Sequence, residues 1–194
     1  MKKLIEILEG TKILSSSGDL DKIIHGITDN SNDANKNFLF FAIKGNDFDG
    51  HEFIEDAISK GVSTIVCTKL PDNLNKKVTF IMVKDIRESV YNISSNYYEN
   101  PDKKIKIIAV TGTNGKTSIV YFLYQFFKSI NIKVGMMSTI ENRINDIILD
   151  AKLTTPNPIE FLKILNQMVL KNCEYCFMED RKSTRLNSSH RCIS

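Results

Sequence analysis

IIAVTGTNGKTS, residues 107–118, runs from an apolar stretch through a glycine-containing turn into the start of an amphipathic segment. A buried strand, a Gly-rich turn and a helix opening at Lys116 turn backbone N–H groups and a helix N-terminus toward one point, where phosphate oxygens are the natural ligand. In that setting the Lys116 ammonium neutralises β- and γ-phosphates, and the Thr117 hydroxyl ligates magnesium. The stretch departs from the usual phosphate-loop spacing, because five positions before Gly115 stands Val110, and the first glycine comes late, at Gly112. A turn that merely joins strand to helix is the plainer alternative, but Gly-Lys-Thr at a strand-to-helix junction is a specific context for nucleotide binding. A nucleoside triphosphate with Mg²⁺ is the expected ligand.

Working outward, the downstream chain reads as helix (SIVYFLYQFFKSI), strand (KVGMMS), loop, helix (NPIEFLKILNQMVLKN, with Pro158 in its first turn) and strand (EYCFME). Upstream, KKLIEILEG reads as a short helix and LFFAIKG as a buried strand. GHEFIEDAISKG follows as an amphipathic helix with Phe53, Ile54, Ala57 and Ile58 on one face. VSTIVCT and VTFIMV read as strands, and DIRESVYNISSNYYEN as a helix with Asp85 as its N-cap. Strands alternating with helices imply an α/β fold built on parallel sheets. The polar break NPDKK around Pro101 separates an α/β domain over 1–100 from a phosphate-loop domain over 101–179. The remainder, 180–194, is Ser/Arg-rich and lacks hydrophobic periodicity.

Composition narrows the partners. The chain has 194 residues, 42% hydrophobic and 25% charged, an ordinary globular balance. Setting 180–194 aside removes four of the 26 basic and one of the 23 acidic residues, leaving 22 of each, so no basic excess points to nucleic acid. No apolar run is long enough to span a membrane, and MKKLIEILEGTK, with Glu6 and Glu9 in its apolar stretch, makes a poor secretory signal. A cytoplasmic location is expected. Cys173 and Cys176 form a CxxC pair without a second pair at metal-ligand spacing, and are expected to be buried thiols on a strand. His25 reads as a packed or surface residue, and His51 as the first turn of a helix and not a catalyst.

VTGTNGKTS resembles the ATP loop of the Mur ligases, which add amino acids to the peptidoglycan precursor, and of their relatives folylpolyglutamate synthase and cyanophycin synthetase. FLFFAIKGNDFDGHEFIEDAISKGVSTIVC resembles the N-terminal UDP-binding domain of the branch that adds the third peptide residue. LTTPNPIEFLKILNQMVLKNCEYCFME resembles the part of its central domain that holds the muramoyl substrate. The resemblance runs from about residue 1 to 179. It implies ATP binding by Gly112, Thr113, Asn114, Gly115, Lys116, Thr117 and Ser118, with Lys116 on the phosphates. It also implies magnesium contacts from Thr117 and Glu179. Thr154 and Thr155 match substrate-contacting threonines, although capping of the next helix alone would explain them. In the first domain the family's Asp-Ser-Arg is replaced by Asn30, Ser31 and Asn32, which keeps Ser31 as a uridine contact and removes the arginine. Asn46, Asp47 and Phe48 occupy a loop that touches the UDP moiety in relatives, and that composition also suits a plain surface turn.

The activity implied is ATP-dependent amide ligation. ATP phosphorylates the free carboxylate of UDP-N-acetylmuramoyl-L-alanyl-D-glutamate, and the amine of a diamino acid, lysine or diaminopimelate, attacks the acyl phosphate. Other readings are a related ligase such as folylpolyglutamate synthase, a phosphate-loop kinase or GTPase, which the Val110 departure opposes, or a nucleotide-binding module without catalysis. Nothing after Glu179 resembles the family, and DRKSTRLNSSH is also a translation of a widely used sequencing adapter, so Asp180 to Ser194 are expected to be foreign to the protein. A genuine disordered Ser/Arg tail is the alternative. A chain cut off there is expected not to ligate, to leave EYCFME at an uncovered sheet edge, and to yield a protease-resistant fragment ending near Asn100.

Overall fold

Four apolar runs of the first half become adjacent strands because each is buried on both faces, as parallel strands under helical layers are. The computed structural model describes residues 1–45, 48–150, 157–179 and 191–193, which divide into two units, Met1–Tyr97 and Tyr98–Ser194. In the first, β1 (Lys2–Lys3), α1 (Leu4–Ile7), β2 (Ile13–Ser17), β3 (Ile23–Ile24) and β4 (Gly26–Thr28) precede β5 (Phe38–Phe41), α2 (Ile54–Ser59), β6 (Thr64–Cys67), β7 (Thr79–Val83) and α3 (Ile86–Tyr97). The main sheet has the order β2-β7-β6-β5-β4. β4 to β7 are parallel, and β2 runs antiparallel along the edge of β7. β1 and β3 form a separate antiparallel pair.

Side chains alternate across that sheet. Phe40, Ile65, Cys67 and Phe80 gather on one face with Ile54 and Ala57 of α2. Helix α3 starts where expected, since the Asp85 carboxylate accepts from Arg87 N at 2.9 Å and Glu88 N at 3.1 Å. The GHEFIEDAISKG segment is a 3-10 turn over Gly50–Phe53 that runs into α2.

The second unit holds β8 (Lys106–Val110), α4 (Lys116–Ser129), β9 (Val134–Met137), β10 (Glu141–Ile144), β11 (Ile147–Asp150), α5 (Pro158–Leu170), β12 (Tyr175–Glu179) and β13 (Arg191–Ile193). Its sheet has the order β11-β10-β9-β12-β8-β13, parallel from β9 to β13 and antiparallel in the β9–β10–β11 ribbon. Helix α4 covers one face, where Val120 and Tyr124 pack with Val110, Val134, Met136 and Phe177. The other face meets α5: a Cβ added to Gly135 would lie 2.3 Å from the Met168 sulfur. Asn157 caps α5 by accepting from Glu160 N at 2.9 Å, with Pro158 at its first position.

This arrangement overturns one expectation. EYCFME does not lie at an uncovered edge: β12 is inserted between β8 and β9 and paired with both, and Cys176, Phe177 and Met178 are buried. The expectation assumed that strands add in chain order. The crossovers through α4 and α5 instead leave a gap between β8 and β9 that the later strand fills. The edge thus falls on β8, where Arg191–Ile193 add in parallel, a pairing that main-chain hydrogen bonds make without regard to side-chain identity.

Candidate functional site

β8 ends at Val110, α4 begins at Lys116, and the five residues between them are exposed. Gly112 and Gly115 take φ of +143° and +78°, where a side chain would be strained although there is space for one. Gly115 is the N-cap of α4, and no side chain caps the helix. Its first N–H groups therefore point out of the helix end without the Ser, Thr or Asp oxygen that usually receives them. The Lys116 ammonium lies back across the loop, donating to Gly112 O at 2.5 Å and Thr113 O at 3.2 Å. Thr117 is half-buried in the first turn, and Ser118 is exposed.

Glu179 ends β12 directly beside Val110 in the parallel register. Its carboxylate is buried, accepts a long hydrogen bond from Thr139 N at 3.4 Å, and among the described residues has no ion-pair partner. A buried carboxylate at the carboxyl end of a strand next to a phosphate loop sits in the crevice where such sheets bind ligands. The donor set fits magnesium, a hard cation that takes carboxylate and hydroxyl oxygens. The described residues contain no cluster of three or more His, Cys, Asp or Glu that could hold a metal by itself.

Next to the loop a cleft of about 660 Å³ is lined by Thr117, Ser118, Tyr121, Phe122, Met136 and Arg143, among others. Arg143 lies over the rings of Tyr121 and Tyr124 at 5.4 and 5.7 Å and pairs with Glu141 at 2.6 Å. The sequence reading missed this cleft, because Arg143 acquires its neighbours only when β10 folds back on β9.

In the first unit, a second cleft of about 390 Å³ is lined by Asp29, Asn30, Ser31, Gly45, Phe48 and Phe53, with others. Two residues singled out from the sequence, Ser31 and Phe48, thus share one cavity. Ser31 is buried, and its hydroxyl, after the Lys60 ammonium, helps hold the Asp56 carboxyl below the usual carboxylate range. Phe48 is 73% exposed, an apolar ring at the rim with no core to serve. Asn46, Asp47, Thr154 and Thr155 lie outside the described residues.

Two cysteine and histidine expectations can be placed. Cys173 and Cys176 are buried, Cys176 on β12 and Cys173 just ahead of it, and burial raises both thiols. Burial also pushes the Cys67 thiol up to about 11. None of the three has the electropositive, accessible setting of a reactive thiol. His25 is exposed, and His51 sits in the 3-10 turn ahead of α2.

Comparison with known proteins matches both halves of the chain to one family. The catalytic domain of the Mur ligase family matches residues 23–111, and the Mur ligase middle domain matches residues 110–191. The second match extends past Glu179 into the Ser/Arg-rich segment. A UDP-N-acetylmuramoyl-L-alanyl-D-glutamate--2,6-diaminopimelate ligase of Cytophaga hutchinsonii is 40% identical over 175 residues, covering 90% of this chain and 36% of that protein. The ligase of the same name from Clostridium tetani is 42% identical over 179 residues, covering 91% and 37%. The UDP-N-acetylmuramyl-tripeptide synthetase of Borreliella burgdorferi is 39% identical over 186 residues, covering 92% and 37%. The chain therefore spans little more than a third of the relatives it matches. Among solved structures, a 2,6-diaminopimelate ligase superposes with a TM-score of 0.72 at 19% identity, covering 92% of this chain and 36% of its own. The MurF ligase from Thermotoga maritima in complex with ADP superposes with a TM-score of 0.57 at 22% identity, covering 92% and 33%. Both likenesses are of fold.

Proposed function

Because this chain belongs to the Mur ligase family, we propose that its two units are the nucleotide-sugar-binding and ATP-binding parts of a ligase that joins a diamino acid to UDP-N-acetylmuramoyl-L-alanyl-D-glutamate. The observation that carries the proposal is the loop: Gly115 leaves the first amides of α4 uncapped, and Lys116 holds a cation over the loop carbonyls. Outward-facing amides and a positive charge beside them together suit a polyphosphate, for which Lys116 would exchange its two carbonyl partners. Thr117 and Glu179 would hold Mg²⁺, which when bound supplies positive charge that neutralises the phosphates.

In the reaction, the terminal phosphoryl group of ATP passes to the free glutamyl carboxylate, giving an acyl phosphate and ADP. The amine of the diamino acid then attacks the acyl carbon, loses its proton, and expels inorganic phosphate. The loop amides and Lys116 act on the first transfer, stabilising charge on the phosphoryl oxygens by preorganised dipoles rather than by covalent chemistry. Ser31 and Phe48 line the cleft that would take the uridine end. Relatives named for 2,6-diaminopimelate support a diamino acid as acceptor, with lysine in the same chemical class. A cytoplasmic location goes with substrates of this kind.

The test is ADP release by the full-length enzyme given both substrates. Lys116→Ala is expected to lower turnover about a hundredfold, the loss typical of one transition-state electrostatic contact, while UDP binding to the first unit stays as it was. Unchanged turnover would overturn the assignment of the loop.

A further inference from the structure

We infer that His51 is a positioning residue for the cleft of the first unit: its imidazole ties the wall formed by Gly45 and Phe48 to the end of β6, and thereby sets the affinity for a uridine nucleotide. The inference rests on reading that cleft as the uridine site.

The wall is built on a tight reversal of the chain. Lys44 and Asp49 form an antiparallel bridge, and Gly45 N donates to Phe48 O at 2.9 Å. Gly50 N donates to Ile43 O at 2.8 Å, and a Cβ on Gly50 would lie 2.6 Å from the Ile43 backbone, so the arms of the reversal press together main chain to main chain. Gly45, Phe48 and Gly50 all line the cleft. Where this reversal stands relative to the sheet therefore decides how far Phe48 is from Ser31 across the cavity.

His51 makes that connection. Asp49 Oδ1 accepts from His51 N at 3.0 Å and meets His51 Nδ1 at 2.6 Å, which places the ring proton on Nδ1 and leaves Nε2 as an acceptor. Nε2 lies 3.4 Å from Thr68 N, which donates to it, and 3.3 Å from Thr68 Oγ1. Thr68 directly follows β6, a strand paired on both sides, by β5 and β7. Asp49 and His51 thus form a two-link chain from the reversal to the rigid centre of the sheet. Both are half-buried polar residues beside, and not within, the apolar cluster of Phe40, Ile65, Cys67 and Phe80.

Titration of the purified 194-residue protein with UDP tests this, alongside His51→Phe, which keeps a ring and removes both hydrogen bonds, and Thr68→Ala, which removes the hydroxyl only. The wild-type protein is expected to bind UDP, His51→Phe to weaken binding roughly tenfold at a temperature well below its still-cooperative thermal transition, and Thr68→Ala to weaken it less. The chain has three histidines, so their ring nitrogens can be followed separately by NMR. UDP is expected to shift the His51 signals and leave those of His25 in place. That reading, together with Thr68→Ala, decides the matter even if His51→Phe fails to fold. Equal affinity in all three proteins with unmoved His51 signals would overturn the inference and leave the uridine reading standing. Absence of UDP binding by the wild-type protein would overturn both.

Discussion

Gly115, Lys116 and Glu179 each stood out before folding: a glycine in the turn, a lysine opening the helix as the expected phosphate cation, and a carboxylate at a strand end. The structure puts Glu179 in register with Val110 and buries it without a cation among the described residues. An ionised carboxylate in such a place is costly unless compensated, and the divalent ion of the proposed function would compensate it. Glu179→Gln in the full-length enzyme is therefore expected to raise the Mg²⁺ concentration needed for half-maximal activity several-fold while UDP affinity is unchanged. A magnesium titration that superposes on the wild-type curve would reduce Glu179 to a strand terminus. Arg143, by contrast, was illegible. Its place beside the loop comes from pairing with Glu141 and stacking on Tyr121 and Tyr124 across two elements, and no local pattern announces such a meeting.

At the level of elements, hydrophobic period found every helix of more than six residues and the buried strands β5 to β9 and β12, because those are the segments whose pattern burial dictates, but not the three-residue β4. What it missed was short or half-exposed. β2 is Ile-Leu followed by three serines with no fully buried position. The β10–β11 ribbon turns at Asn145, whose φ of +51° is the left-handed conformation that asparagine tolerates, and the Asn-Asp pair between two isoleucines was the available signal. Asparagine serves the same purpose after α4 and α5, where Asn131 and Asn172 take left-handed φ and the next residue bonds back to Phe127 O or Met168 O. Helix α5 also presses on β9 through Gly135. Gly135→Ala is expected to cost about 1–3 kcal/mol by overpacking against Met168, measured by urea unfolding of the chain. Combined with Met168→Ala the two costs are expected to be less than additive; strict additivity would mean that the two positions do not meet.

For the whole molecule, domain order and α/β class were legible, and strand order in the second sheet was not, since periodicity carries no information about which strand lies beside which. With β12 at its centre and α4 and α5 on its faces, the second unit buries a core of its own. Limited proteolysis is expected to leave two resistant products that meet near Tyr97, in place of the single N-terminal fragment anticipated from the sequence. Digestion of everything past Asn100 would show that this core does not hold. The central place of β12 also bears on the order in which the polypeptide is made. β8 and the phosphate loop leave the ribosome well before Glu179, yet β8 and β9 have no partner in each other and must wait for the strand that separates them. Until then their apolar edges are open to other chains. Completion of the second sheet, and with it the proposed nucleotide binding, is thus a late event of synthesis, attained only when residue 179 has emerged, whereas the first unit can fold while the rest is still being translated.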